Sequence, residues 1–485
     1  MLFDRIGQVR TNIKKNLEFD NRVSAAESKA RGKQLRKETP RSSHAIWKAS
    51  AARPDIVDLL KSQEKSRVQE LVPIRHERMS ASAFTFYRGA ALIMANDLSH
   101  TPTSGTIVQA CGDAHVSNFG LFQSPERRLV FDINDFDETA RAPWEWDVKR
   151  LTTSIEVCAR NRAFTPEQRN AAVLATVRAY RNAMLQFADM GTLDVWYAHA
   201  DVESLYAHLS KQITKPQLKN AQKTVNKARQ KNSLRAVSKF TEVVDGNLRI
   251  VSQPPLIVPM RDLLAEAAKG TLPPFNEEEQ EAFISLVLSG YLASLSPEKR
   301  HLVKQYRGVD IARKVVGVGS VGMRAWIVVM ESNSSADPLV LQIKEAEASV
   351  LERYTHKSKY LEHGRRVVEG QRAMQTSSDI LLGWTRILGL DGKKHDYYVR
   401  QLWDGKGSFN VDGADPETLT LIGRTCGWTL AHAHARTGNR FEIAGYLGKS
   451  TTFDEAICAF SRAYADQNEQ DYQRFLEAMN NGELA

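Results

Sequence analysis

Apolar residues change their spacing several times along the chain, and each change marks a predicted element. Residues 1 to about 70 are polar and basic with weak helical periodicity, which predicts a loosely packed helical arm. Within it, Pro54 ahead of Ile56, Leu59 and Leu60 reads as a helix start with an apolar stripe. SAFTFYRGAALIMANDL, residues 82–98, predicts one largely buried helix. Arg88 at its middle is either a phosphate or carboxylate clamp or an ion-paired core residue. TSGTIVQA (103–110) turns to a strand pattern, and Arg128 to Ile133 gives another. After Asp147 the period is helical for about 50 residues, a lobe-filling scaffold.

KFTEVVDGNLRIV reads as a hairpin about Asp245-Gly246, followed by a Pro-rich loop at 254–259 and helices to about 305. From 307 the strand pattern returns, as strand, Gly-rich turn, strand, and then PLVLQIKEA. A helix HGRRVVEGQRAMQ, two strands TRILGL and DYYVRQL, and a long helix ended by Gly438 complete the pattern. His432 and His434 on that last helix are two apart, hence on different faces, and read as packing or surface residues.

Composition, 42% hydrophobic and 25% charged over 485 residues, is that of an ordinary globular protein with room for two or three packed lobes. The longest apolar runs, LIVPM and AWIVVM, fall well short of the ~20 residues of a membrane span. The first 20 residues lack a secretory pattern, so a cytoplasmic location without membrane contact is expected. The four cysteines form no C-x-x-C pair, which argues against a zinc site or disulfide framework.

The net charge of +9 is concentrated in the first 75 residues and in 211–239. Without a nucleic-acid-reading motif this is a solvated basic surface, and nucleic acid is not an expected partner. In the second stretch a basic residue recurs every fourth position from Lys211 to Lys239, drifting by roughly 40° per step around a helix. A local cluster such as Lys223, Lys227 and Lys231 can still meet an anionic substrate.

Candidate chemistry concentrates in CGDAHVSNFGLFQSPERRLVFDINDFD, residues 111–137. Asp113 and Asn118 lie five apart after Gly112, so one can take a proton from a hydroxyl while the other holds a metal. Asp135 and Asp137 follow a strand and present carboxylates at its end. One or two carboxylates with an Asn suit Mg2+. Taken singly, each of these residues is an ordinary turn or cap residue.

Farther on, Gly317, Gly319 and Gly322 form GxGxxG, but a strand follows where a dinucleotide site needs a helix. That arrangement matches the flap over ATP phosphates in kinases, with Arg324 where the flap usually has Val. Lys344, at the end of an apolar strand, is a phosphate-gripping lysine or a snorkelling edge lysine. Glu369, or alternatively Glu352, is the expected carboxylate that holds it. Gln401 to Trp403 falls at the adenine-side connection between lobes, and GKGS at 405–408 lacks the spacing of a Walker loop.

GDAHVSN resembles the loop of aminoglycoside- and choline-kinase-type phosphotransferases, His-Gly-Asp-x-His-x-x-Asn, with Cys111 replacing the first His. The resemblance implies Asp113 as catalytic base with His115 beside it, and Asn118 as a magnesium ligand. NDFDE resembles the family's second metal motif, which implies Asp135 as the metal carboxylate with Asp132 and Asp137 as alternatives. Asp147 falls where these enzymes brace the loop from a following helix. Over nearly its whole length the chain also resembles the bacterial domain-of-unknown-function 2252 family, to which no substrate is assigned.

Because the catalytic loop precedes the flap by some 200 residues, the parts imply an α+β, two-lobed, kinase-like fold, circularly permuted, with extra helical insertions. The expected divisions are a basic arm (1–75), a catalytic-loop and helical substrate region (76–305), a nucleotide-binding region (306–403) and C-terminal helices (404–485). The expected activity is ATP- and Mg2+-dependent phosphotransfer to a small hydroxyl- or amine-bearing acceptor. Nucleotidyl transfer onto protein and a non-catalytic nucleotide-binding module are the alternatives. The sequence identifies neither the acceptor nor an oligomeric state.

Overall fold

A computed structural model describes residues 23–202, 215–244, 247–268, 277–333, 337–389 and 391–484. The fold is α+β. Its largest core gathers around four long helices, Trp144–Asn161, Pro166–Asp189, Pro416–Thr437 and Thr452–Asn480, with Trp144 stacked on Tyr180 at the centre. The second and third approach closely at Gly427, where a Cβ would meet the Thr176 carbonyl at 2.3 Å. Among the described residues no helix is long and apolar enough to cross a membrane. All four cysteines are free and buried.

Two small sheets carry the 111–137 stretch. Strand β1 (Ile107–Ala110) pairs with β4 (Ala140–Pro143), and β2 (Phe119–Gln123) lies beside β3 (Leu129–Ile133), which pairs with β5 (Ala200–Asp201). The Asp113 loop therefore joins one sheet to the other, and the Asp135 loop joins them back. β6 (Thr241–Val244) and β7 (Asn247–Ile250) form the expected hairpin, with its 245–246 turn outside the described residues.

The third layer is a fully antiparallel six-stranded sheet in the order β12-β13-β11-β10-β9-β8. Its strands are β8 (Ile257–Pro259), β9 (Arg307–Lys314), β10 (Ala325–Glu331), β11 (Pro338–Ala346), β12 (Gly383–Leu388) and β13 (Lys394–Gln401). Both faces are covered, which explains why AWIVVM is apolar without alternation. Val328 and Met330 join one core, while Ile327 and Val329 join another. On β11 the same alternation sends Leu341 and Ile343 to the first core and leaves Lys344 on the opposite face.

Three expectations are corrected. The stretch 82–98 is two helices, Ala83–Gly89 and Ala91–Leu98, broken at Ala90, which leaves the helical region at ψ 31°. The described part of the arm is docked, not loose. Its helix Ala25–Glu38 buries Ser28 and Gly32, and a Cβ on Gly32 would meet the Glu442 carbonyl at 2.0 Å. Contact through small residues leaves no apolar stripe for the periodicity to report. The basic row is divided between helices Lys215–Arg229 and Ser233–Phe240, the second capped by Asn232, and Lys211 lies outside the described residues.

Candidate functional site

The Asp113 loop is shaped by a carboxylate outside it. Asp147, in the first turn of helix Trp144–Asn161, accepts the Cys111 and Gly112 backbone N–H groups at 2.6 and 2.9 Å. His434 Nε2 lies 3.1 Å from the same carboxylate. Gly112 takes φ 82°, and a Cβ there would meet the Glu138 carbonyl at 2.1 Å, so only glycine fits. Val116 N–H donates to Ser154 Oγ at 2.9 Å. Cys111, the departure from the resembled motif, is buried and gives its thiol to the Asp135 carbonyl at 3.5 Å.

So held, Asp113 turns its carboxylate toward a cleft and receives Arg150 Nε and Nη2 at 2.9 and 2.8 Å. Arg150 is itself stacked 3.9 Å from the Tyr87 ring. Burial raises the Asp113 pKa, Arg150 opposes the rise, and Asp135 adds to it. His115 Nε2 stands 3.7 Å from Asp113 Oδ2. Burial first, then Arg88 and Arg150, hold this imidazole well below its ordinary pKa and therefore neutral. Asn118 donates Nδ2 to the Asp113 carbonyl at 2.8 Å, and its Oδ1 accepts no hydrogen bond among the described residues.

The next loop brings Asp135 and Asp137 to Lys344. Lys344 Nζ pairs with Asp137 and stands 3.7 Å from Asp135 Oδ2. Asp137 also accepts Tyr398 Oη at 2.8 Å and Ser320 Oγ at 3.2 Å, so its oxygens are occupied. Asp135 is the more open carboxylate, its side chain 32% exposed against 15% for Asp137. Burial alone would raise the Asp135 pKa, but Lys344, Arg400 and Lys406 outweigh it and hold the group ionised. The same two carboxylates overcome burial at Lys344 and raise its pKa.

Asp132 is elsewhere. It is buried on β3 away from the cleft, with its Oδ1 on the Ile133 N–H at 2.8 Å, and burial pushes its pKa to about 7. The expected carboxylates for Lys344 are also corrected. Among the described residues Glu352 pairs with Arg366 at 3.6 Å and Glu369 with Arg365 at 3.9 Å, and neither pairs with Lys344. Lys344 sits on the face of β11 turned to the Asp135 loop, so the carboxylates that neutralise it come from that loop.

Gly317, Gly319 and Gly322 lie in the turn between β9 and β10, with φ 66° at the first and 90° at the last. This turn, the Asp113 loop and the Asp135–Glu138 loop line one cleft, together with Arg67 and Arg88. Arg88 forms no ion pair among the described residues, and its buried Nε has no hydrogen-bond partner, which sets aside the ion-paired alternative. From outside, Val68 N–H donates to the Gly322 carbonyl at 2.8 Å, Arg67 to the Val321 carbonyl, and Arg78 to the Gly317 carbonyl at 2.5 Å. Gln401 does not face this cleft; its N–H donates to Asp379 at 2.6 Å beside a separate cavity.

Sequence reasoning missed Arg150, Arg366, Tyr398 and Ser320. Arg150 had a signal, since it lies one helical turn beyond Asp147 and faces the same loop. Arg366 donates to the Asp137, Thr139 and Glu347 carbonyls at 2.6–2.8 Å, a role no spacing announces.

Every one of these cleft residues falls within a single family match. The chain belongs to the family described as "uncharacterized protein conserved in bacteria (DUF2252)", which it matches over residues 67–478. No curated protein and no solved structure matches it.

Proposed function

We propose that this member of the family is an ATP- and Mg2+-dependent phosphotransferase with a circularly permuted, kinase-like fold, acting on a small hydroxyl- or amine-bearing acceptor. The observation that carries the reading is the pairing of Lys344 with the Asp135–Asp137 loop, 207 positions away for Asp137, in a cleft that Asp113 and the Gly-rich turn also line. A phosphate grip and a metal carboxylate act on one triphosphate, so their meeting has a use that neither has alone. The chain order after residue 306 also suits a nucleotide-binding lobe, with flap strands, lysine strand and then the helix His363–Met374.

The donor set fits magnesium, with one open ionised carboxylate, Asp135, and the free carboxamide oxygen of Asn118, leaving other positions to water and phosphate. When bound, the ion would offset charge on the phosphate oxygens. Lys344 and the unpaired Arg88 provide two cations for the rest of that charge. Asp113 takes the proton of the acceptor hydroxyl, the acceptor oxygen bonds to the γ-phosphorus, and the bond to the bridging oxygen breaks to release ADP. Arg150 opposes the rise that burial imposes on the Asp113 pKa, and neutral His115, 3.7 Å away, adds no charge beside it.

The test is a thermal-shift comparison of ATP with and without Mg2+ for the wild type and Asp135→Asn. At 100 times the dissociation constant, binding adds about 2.7 kcal/mol to the wild type, and this gain is expected to vanish in the variant. A magnesium-dependent gain that survives the substitution overturns the metal assignment. Binding without ATP consumption across acceptor pools moves the reading to a non-catalytic nucleotide module.

A further inference from the structure

We propose that a second cavity, beyond Asn134 and bordered by Lys406 of the GKGS loop, is a binding site for a phosphate group, held by Lys406 and Arg400. This cavity shares no lining residue with the cleft, and among its walls are Asn134, Gln371, Gln375, Arg400, Gln401 and Lys406. Only Phe122 and Leu402 among its lining residues are apolar, which suits an oxyanion better than a flat heterocycle.

The loop is built to present its lysine. Gly405, at φ 67°, donates its N–H to the Lys231 carbonyl at 2.8 Å, and Gly407 exchanges backbone hydrogen bonds with Leu121 at 2.7 and 2.9 Å. Lys406 lies between these two anchored glycines and forms neither a hydrogen bond nor an ion pair among the described residues. Arg400 donates Nε to Gln342 at 3.1 Å and Nη1 to the Asn134 carbonyl at 3.2 Å, and its Nη2 makes no hydrogen bond among the described residues.

The carboxylates of the cavity are already engaged. Asp379 accepts the Gln401 and Leu381 N–H groups at 2.6 and 2.8 Å, and Asp404 accepts Arg127 at 2.6 Å. What remains is two cations on one cavity wall, whose Lys406 Nζ and Arg400 Nη2 donors make no hydrogen bond among the described residues, with Asp135 in the adjoining cleft offsetting part of their charge. Like charges so placed repel, and Arg400, followed by burial, lowers the Lys406 pKa to about 7. A phosphate dianion supplies the missing charge and accepts from both.

The experiment titrates inorganic phosphate into the full chain by calorimetry in EDTA, so that magnesium takes no part. The wild type is expected to bind saturably, Lys406→Gln about tenfold or more weaker, the loss of one charge-assisted hydrogen bond. Lys406→Arg is expected to stay within about threefold, because the charge is kept. Asp135→Asn is expected to bind as well as the wild type or better, since a neighbouring negative charge is gone. Phosphate binding that is absent, that ignores Lys406→Gln, or that disappears in Asp135→Asn overturns the proposal. Competition identifies the source: glycerol phosphate displacing inorganic phosphate indicates a phosphorylated acceptor, and ATP doing so in EDTA indicates the nucleotide. Because the titration is metal-free, it can succeed where the magnesium-dependent ATP shift fails, and the reverse.

Discussion

Two walls of the cleft are built by different means. The wall that carries Asp113 rests on buried charged and polar side chains: Asp147 on two backbone amides, His434 behind it, Arg150 against the carboxylate. The opposite wall, the Gly-rich turn, is held by hydrogen bonds from Arg67, Val68 and Arg78 to its carbonyls and by Ser320 on Asp137. Buried networks have few alternative arrangements, whereas a turn with glycines at positive φ can move when a few hydrogen bonds exchange. The side where a proton would transfer is therefore fixed, and the side that would cover phosphates is adjustable.

The comparison is sharpened most by Asp113→Asn. Turnover is expected to fall by about 100- to 10,000-fold with nucleotide affinity nearly unchanged, the usual contribution of a positioned base. Turnover at the wild-type rate would remove chemistry from the fixed wall. Next comes Asp147→Ala, which strips two buried amides of their acceptor and is expected to lower stability by about 3 kcal/mol, read by urea denaturation. A loss below ~1 kcal/mol would mean that the loop does not depend on its brace.

Asp132→Asn probes the same wall at a carboxylate that does not face the cleft. The folded state raises its pKa from 3.8 to about 7, so it binds the proton more tightly than the unfolded chain does. The stability from this group is full below about pH 4 and is lost as pH rises toward about 7. The substitution is expected to flatten that window by on the order of 4 kcal/mol while leaving magnesium-dependent nucleotide binding intact. Lost nucleotide binding would restore Asp132 as a metal ligand.

The smallest effect is expected on the adjustable wall. Arg78→Gln should change stability by less than about 1 kcal/mol yet shift KM for nucleotide more than kcat, because it frees the Gly317 carbonyl. A loss as large as that of Asp147→Ala would erase the distinction between the walls.

Much of this site was legible because its parts are local. Asp113, Asn118 and Asp135 lie within one stretch, and the apolar run before Lys344 predicts its strand. The partners were not legible, since spacing within a helix says nothing about which loop its far side meets. Glu369 and Glu352 lie on or near the predicted helix, but ion pairs with neighbouring arginines engage them, while Lys344 reaches back to Asp137. The break at Ala90 went unseen because both helices it separates are buried, so the apolar pattern runs across it unbroken. Arg67, Val68 and Arg78 read as parts of a polar arm and its sequel, yet they grip the turn at 317–322 through its backbone carbonyls, which leave no trace in side-chain patterning.

The brace on the Asp113 loop also bears on how the chain is made. Asp147 and His434 are 287 positions apart. At 5–20 residues per second a ribosome needs about 15–60 s to span them. For that interval the loop lacks the helix that finishes its support, and the Asp135–Asp137 loop has its own shorter wait, 207 positions from Asp137 to Lys344. The site is thus assembled late in translation, and a nascent chain stalled before residue 434 would carry every residue of the Asp113 loop without its final geometry.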